Sequence, residues 1–299
     1  MPAHALANAL SDPSSQVRPS VADKRRRFRE LHETGCFLIP NPWDIGSARR
    51  LQALGAVALA STSAGVAWSQ GLPDGAVSRD AMLEHLRTLV AATDVPVNAD
   101  FENGFGDTPE AVAHSVRLAI DTGVAGLSIE DASGDANAPL FALDVAVARL
   151  RAARAAIDAS GADVLLVGRT EGFFMGRPDL PDTLTRLRAY AEAGADCLYA
   201  PGLRTADEVA AVVAAVAPRP INVLIGAAGG LTLQQAADLG ARRVSVGGAL
   251  ARVAWGGFER AARQMLTQGR FDALADAMPG AELNTFFRAD AAVRAHPQP

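Results

Sequence analysis

Residues 98–106 read Asn-Ala-Asp-Phe-Glu-Asn-Gly-Phe-Gly and follow the apolar run Val95-Pro96-Val97. Asp100 and Glu102 therefore leave a buried strand two residues apart. In an extended chain residues i and i+2 point to the same side, so this spacing predicts two carboxylates facing one point. Gly104 and Gly106 let the following turn adopt conformations closed to other residues. Clustered carboxylate oxygens at a loop mouth suit Mg²⁺, which takes one or two carboxylates and completes its shell with water and substrate oxygens.

Such a pair needs a scaffold. Short β-type runs are predicted at 37–40, 57–61, 95–99, 126–129, 164–168, 197–199, 221–224 and 243–246. Between them lie Ala-, Leu- and Arg-rich segments with helical spacing, such as 143–159 and 180–194. Gly123, Gly161, Gly194 and Gly240 each precede a strand, as helix C-terminal turns do. Eight strand–helix units predict a (β/α)₈ barrel. An open dinucleotide-binding sheet would carry a glycine-rich turn after its first strand, where this chain has Asn41-Pro42-Trp43-Asp44. The expected organisation is a flexible leader over 1–20, a barrel over 21–270, and a helical extension and tail over 271–299.

Barrel chemistry sits on the loops after the strand C-termini. In chain order those positions hold Asn41, Trp43 and Asp44; Ser61 to Gly65 and then Asp74; Asp100 and Glu102; Glu130 and Asp131; Arg169, Thr170 and Glu171; and Tyr199 with Pro201. Strand seven offers Gly226, with Asn222 inside the strand. Five acids, Asp74, Asp100, Glu102, Glu130 and Asp131, would repel one another unless a cation or proton compensates. A divalent metal is the economical answer. Arg169 adds a planar cationic fork matched to carboxylate or phosphate. The small-residue turn 62–65 exposes N–H groups for a second anionic end. Asp44 and Asp131 also read as helix-cap or turn residues, and Glu171 as a partner for Arg169 or Arg177. All five histidines fall outside the strand ends, so a histidine ligand or base is not expected.

The 299-residue chain carries a net charge of −5 and is 49% hydrophobic. Without a broad basic patch it does not read as a nucleic-acid binder. The run Lys24-Arg25-Arg26-Arg27 reads as a solvated helix face. No apolar stretch reaches the roughly 18 residues of a membrane span, and the start lacks a secretory apolar core. Cys36 and Cys197 form neither a disulfide framework nor a zinc pattern and read as buried thiols. A cytoplasmic protein is expected.

Four stretches together resemble the isocitrate lyase/phosphoenolpyruvate mutase superfamily, specifically its short mutase-like members. They are Asn41-Pro42-Trp43-Asp44 with Ser47-Ala48; Thr62-Ser63-Ala64-Gly65-Val66-Ala67 with Leu72-Pro73-Asp74; Ala99 to Gly106; and Ile129-Glu130-Asp131 with Gly168-Arg169-Thr170-Glu171. Val244 to Leu250 is also similar, and the likeness spans about residues 35–255. It implies a (β/α)₈ barrel binding Mg²⁺, with Mn²⁺ as the alternative, and a 2-oxo acid or enolate at the strand ends. It places Asp100 as direct metal ligand, Glu102 acting through water, and Asp74 and Glu130 completing the shell. It places Thr62, Ser63 and Ala64 on the substrate carboxylate, with Trp43 and Asp44 alongside, and Arg169 on developing negative charge, with Glu130 as a second catalytic group. It also implies a homo-oligomer, tetramer or dimer, that exchanges a C-terminal helix.

Departures narrow the activity. Isocitrate and methylisocitrate lyases carry a Lys-Arg/Lys-Cys-Gly-His stretch after the strand-four Glu; here that region runs from Asp131 to Leu140 without Lys, Cys or His. The mutase lid carries Lys and Asn, and only Asn137 remains; its strand-six His is replaced by Tyr199-Ala200-Pro201. The expectation is a Mg²⁺-dependent C–C lyase or hydrolase acting on a small, oxaloacetate-like 2-oxo acid, with residues 131–140 as a lid. The alternatives are a phosphonopyruvate hydrolase or mutase acting on a P–C bond, and a 2-oxo acid binding protein with little catalysis.

Overall fold

Strands and helices alternate along most of the described chain. The computed structural model describes residues 18–295, so most of the expected leader, residues 1–17, lies outside the described residues. In order come α1 (Val21–Leu31), β1 (Phe37–Ile39), α2 (Ile45–Ala53), β2 (Leu59–Ala60), α3 (Ser63–Ser69), α4 (Arg79–Ala92), β3 (Val97–Asp100) and α5 (Pro109–Asp121). Next are β4 (Gly126–Glu130), α6 (Leu143–Ser160), β5 (Leu165–Arg169), α7 (Leu180–Glu192), β6 (Cys197–Tyr199) and α8 (Ala206–Val216). Then follow β7 (Ile221–Leu224), α9 (Leu233–Asp238), β8 (Arg243–Ser245), α10 (Ala249–Gln268), a 3-10 helix Asp272–Asp276 and α11 (Gly280–Arg294).

All eight strands are parallel, in the order β1-β8-β7-β6-β5-β4-β3-β2. The arrangement is a nearly closed (β/α)₈ barrel, as the strand count predicts. At the seam between β1 and β2 the Ala60 N–H donates to the Pro40 carbonyl at 3.1 Å. Asn41 stitches the same edge: its amide donates to the Ser61 carbonyl, and its Oδ1 accepts from the N–H groups of Val246 and Gly247 at 2.9 Å each.

Helix starts are written locally. Ser20, Asp44, Thr62, Ser78, Thr108, Asp179, Thr205 and Thr232 each cap a helix with a side-chain oxygen on an N–H of the first turn, an interaction worth about 1 kcal/mol per cap. Gly123, Gly161, Gly194 and Gly240 have positive φ after helix ends, as expected.

Alternation along the strands divides the interior. Outward residues such as Leu59, Val97, Leu127, Leu166, Leu198, Val223 and Val244 join the helices in the main apolar core. Each such fully buried aliphatic side chain contributes roughly 1.5–3 kcal/mol. Inward residues form smaller clusters. Phe28 of α1 packs with Phe37, Ile39, Ala58 and Leu165, while Val167, Cys197 and Tyr199 pack together elsewhere. Cys197 is buried and Cys36 half-buried, both free.

The basic run on α1 is only half solvated. Arg26 and Arg27 are exposed, but Lys24 is buried with its Nζ on the carbonyls of Val90 and Thr93, and Arg25 reaches those of Ile120 and Val124. These cations meet the last carbonyls of α4 and α5, where helix dipoles favour positive charge.

Contacts divide the chain into Ser20–Ala254 and a second unit that takes in the described residues from Trp255 on. The division falls inside α10. In the second unit Trp255 and Phe258 meet edge to face at 5.6 Å, and Phe258 and Leu266 are exposed. Among the described residues no helix is long and apolar enough to cross a membrane.

Candidate active site

Three neighbouring strands end on chemistry. Asp100, Glu130 and Arg169 are the last residues of β3, β4 and β5. Sheet register sets Glu130 beside Arg169 and Arg169 beside Tyr199. Asp100, Arg169 and Tyr199 line a cavity of about 710 Å³ together with Asn41, Thr62, Ser63, Ala64 and Asp74, while Glu130 and Glu102 are not among its lining residues.

Arg169 is the hub. Its Nη1 lies 3.0 Å from Asp100 Oδ1 and 3.3 Å from Glu130 Oε2, and its Nε donates to Glu171 Oε1. Its guanidinium also lies over the Tyr199 ring, 5.1 Å from the centroid. Burial alone would loosen its proton, but Glu130, Glu171 and Asp100 hold it firmly cationic. Of the two partners foreseen for Glu171, Arg169 is the one it takes.

Asp100 is held from both sides. Its Oδ2 accepts the Ser63 N–H at 2.9 Å while Oδ1 faces Arg169. The Thr62–Ala64 turn therefore offers one fewer free N–H than its sequence promised. The Ser63 side chain bonds Asp74, whose carboxyl burial nonetheless pushes up. Gly65 is obligatory here: a Cβ would come within 2.8 Å of the Thr62 side chain and 2.9 Å of Trp43.

Glu102 reaches the cluster by another route than the expected one. The strand stops at Asp100, Phe101 is buried, and Glu102 sits at φ +47°, outside extended geometry. Phe105 is left-handed as well, at φ +50°. Such conformations cost a non-glycine residue on the order of 1 kcal/mol or more and cluster at functional loops. Burial, reinforced by Asp100 and Asp74, pushes the Glu102 carboxyl up to about 7. Its Oε1 is buried without a hydrogen-bond partner. Burial raises Glu130 well above the carboxylate range, against the pull of Arg169, and raises Glu171 likewise. Tyr199 is pushed up to about 12 by burial.

The donor set can be tested against a metal. It is all oxygen, which suits a hard divalent cation. Acidic groups outnumber Arg169, and the orphaned Glu102 Oε1 needs a partner. Among the described residues no three Asp, Glu, His or Cys side chains are placed to cage an ion directly. The residues thus fit a cation that takes Asp100 and keeps most of its water, with Asp74, Glu102 and Glu130 around it.

Two expected residues lie elsewhere. Asp44 is exposed and caps α2, accepting the Ser47 N–H at 2.6 Å. Trp43 is half-buried behind Gly65. Neither lines the cavity.

Asp131 is not a cap, because the next helix begins only at Leu143. It is buried, and its carboxylate accepts the Glu171 N–H at 2.8 Å, the Tyr190 hydroxyl at 2.6 Å and Arg186 Nη1 at 3.1 Å. Its carbonyl accepts the Phe141 N–H, and Arg186 reaches the Phe141 carbonyl at 3.0 Å. Asp131 and Arg186 together pin both ends of the 132–140 loop. The turn-like Ala-Ser-Gly that follows Asp131 concealed these partners, of which Arg186 and Tyr190 come from α7, more than fifty residues away.

Sequence reasoning also missed Arg243 and Asn98. Both are buried, and both line the floor of the cavity. The available signal was a polar residue at an inward position low on each strand.

Comparison with known proteins fits this geometry. Residues 28–266 match the family model described as phosphoenolpyruvate phosphomutase. An uncharacterised protein of Mycobacterium tuberculosis is 32% identical over 74% of this chain and 81% of its own. The oxaloacetate decarboxylase of Paraburkholderia xenovorans is 30% identical over 69% of this chain and 71% of its own. A Burkholderia cenocepacia structure provisionally described as a lyase/mutase is 52% identical, with a TM-score of 0.87 over 90% of this chain and 97% of that one. The chain belongs to the phosphoenolpyruvate mutase family, within the superfamily shared with isocitrate lyase.

Proposed function

We propose that this member of the phosphoenolpyruvate mutase family is a Mg²⁺-dependent enzyme that cleaves a C–C bond in a small 2-oxo acid of the oxaloacetate type. The observation that carries the reading is the grip on Asp100. One carboxylate joins the anion-binding turn at Ser63 to the cation at Arg169, so metal ligand, carboxylate pocket and charge stabiliser share one point. Relatives named oxaloacetate decarboxylase and a 26% identical structure of oxaloacetate acetylhydrolase with oxalate, TM-score 0.81, support the substrate class.

A divalent cation would be held by Asp100 directly and by Asp74, Glu102 and Glu130 through water, and would supply Lewis acidity at the 2-oxo group. Thr62, Ser63 and Ala64 bind the substrate carboxylate. Breaking the bond between the α and β carbons releases the β carbon as carbon dioxide or a carbonyl product and leaves the bonding pair as an enolate, which then takes a proton; Arg169 is the cation for the oxygen on which that charge develops. Glu130 and Glu171 keep the guanidinium in place. The 132–140 loop, anchored at both ends by Asp131 and Arg186, follows β4 at the same end of the barrel and is the candidate lid.

The family model's own description keeps P–C cleavage as the second reading. A crystal grown with Mg²⁺ and oxalate, an enolate mimic, tests the arrangement. The account predicts oxalate between Asp100, Arg169 and the 62–64 turn. Oxalate bound elsewhere, or no metal at Asp100, overturns it.

A further inference from the structure

The cavity does not end at the acid layer. It continues into the barrel past Ser128, Tyr199 and Ser245 to Asn98, Asn222 and Arg243. Asn98 lies two residues before Asp100 on β3 and Arg243 two before Ser245 on β8, about 7 Å deeper at the usual rise of a strand. Arg243 is 3% exposed. Its Nε donates to Asn222 Oδ1 at 3.0 Å, and its Nη1 approaches Asn98 Oδ1 at 3.3 Å and His32 Nε2 at 3.5 Å.

Every one of these partners is neutral. His32 is held in its uncharged form by burial and by Arg243 itself. Cys197, the other titratable group near Arg243, is a thiol that burial keeps protonated. Arg169 and Arg186 have carboxylates. Arg243 has none within ion-pair distance among the described residues, and its Nη2 makes no hydrogen bond to the protein there. A buried cation lacking a counter-charge is costly, and its unused N–H groups add to the cost.

We propose that the floor of the cavity is an anion site in which Arg243 Nη2 holds one compact monovalent anion, a halide or a carboxylate. The hydroxyls of Ser245 and Tyr199 line the same space. The enclosed floor selects for size, and the guanidinium for charge. The site is one strand layer below the metal position, so its occupant and the metal do not compete for ligands. A halide there is a resident ion; a carboxylate there is the deep end of a substrate, and that second source rests on the function proposed above.

Crystals of the Mg²⁺-loaded protein soaked in sodium bromide test the site, alongside thermal unfolding in chloride against a bulky anion at equal ionic strength. The expected result is an anomalous bromide peak against Arg243, with a Tm rise on the order of 2–4 °C as chloride passes ten times its dissociation constant. Arg243→Met, similar in length and uncharged, should lose both. Soaking the bromide crystals with oxalate separates the sources. Loss of the peak identifies the carboxylate site, and its persistence identifies a resident halide. Absence of a peak in the wild-type protein overturns the proposal, as does a peak with no anion-dependent Tm, which marks an adventitious ion only. The wild-type arms decide the matter even if the variant does not fold. The bromide arm involves no turnover, so its failure is distinct from failure of the proposed reaction.

Discussion

Asp100 Oδ1 and Arg169 Nη1 lie 3.0 Å apart, joining the ends of β3 and β5 across the intervening strand. The residue suited to hold a metal and the residue suited to stabilise an enolate thus fix one another. Each loses its orientation when the other is changed, so their variants should behave non-additively.

Asp100→Ala should abolish Mg²⁺ binding and turnover, because the one direct carboxylate is gone and the remaining acids repel one another. Glu102→Gln should be milder, weakening Mg²⁺ about 10–100-fold as an outer partner does, since an amide still holds a water. Isothermal titration of both variants checks this. Wild-type affinity in Asp100→Ala would remove the metal from this end of the barrel.

Arg169→Lys keeps the charge and loses the planar fork. Turnover should fall roughly 30–1000-fold, the size expected for one preorganised contact worth about 2–4 kcal/mol. Most of the loss should appear in kcat, because the enolate carries more charge than the bound keto acid. Arg169 also ties three carboxylates together, so Tm must be measured in parallel. A destabilised variant with normal kcat would assign Arg169 to structure alone.

His32 makes stability depend on pH. Its Nδ1–H donates to the Phe28 carbonyl at 2.7 Å, and burial followed by the Arg243 charge lowers its pKa from 6.5 to about 3. The unfolded chain therefore binds the proton more readily. This contribution is fully present above pH 6.5 and is lost as pH falls toward 3, amounting to about 3–5 kcal/mol over that window. Urea unfolding of wild-type and His32→Leu protein across the window should show the steeper fall in the wild type. Parallel slopes would mean that His32 carries no titration in this range.

Asp131→Ala leaves the Arg186 and Tyr190 groups facing a buried gap. A loss of about 3–5 kcal/mol is expected, the usual cost of removing one partner from a buried pair. The 132–140 loop should become more sensitive to protease at the same time. Unchanged Tm and unchanged cleavage would show that Asp131 does not anchor the loop.

Barrel, strand ends and the Asp100–Arg169 neighbourhood were legible in the sequence because they obey local rules. Strand runs repeat eight times, caps and terminal glycines punctuate many of the helices between them, and barrel loops gather what each strand ends on. What escaped depended on contacts distant in sequence. Asp131 reads as a turn residue until α7 brings Arg186 and Tyr190 to it. Lys24 and Arg25 read as solvated until two helix C-termini meet them. Glu102 was expected on an extended strand but turns left-handed. Arg243 shows only a polar residue at an inward strand position, and its partners Asn98, Asn222 and His32 come from distant parts of the chain.

The central claim is C–C cleavage of a 2-oxo acid with a divalent metal. The most direct measurement follows products by ¹³C NMR from a panel of labelled 2-oxo diacids and phosphonopyruvate, with Mg²⁺, with chelator, and with Mg²⁺ restored. The account predicts carbon–carbon cleavage of an oxaloacetate-like diacid that stops with chelator, returns with metal, and is absent in Asp100→Ala. Cleavage of phosphonopyruvate alone, or binding of the diacids without any product, would contradict it.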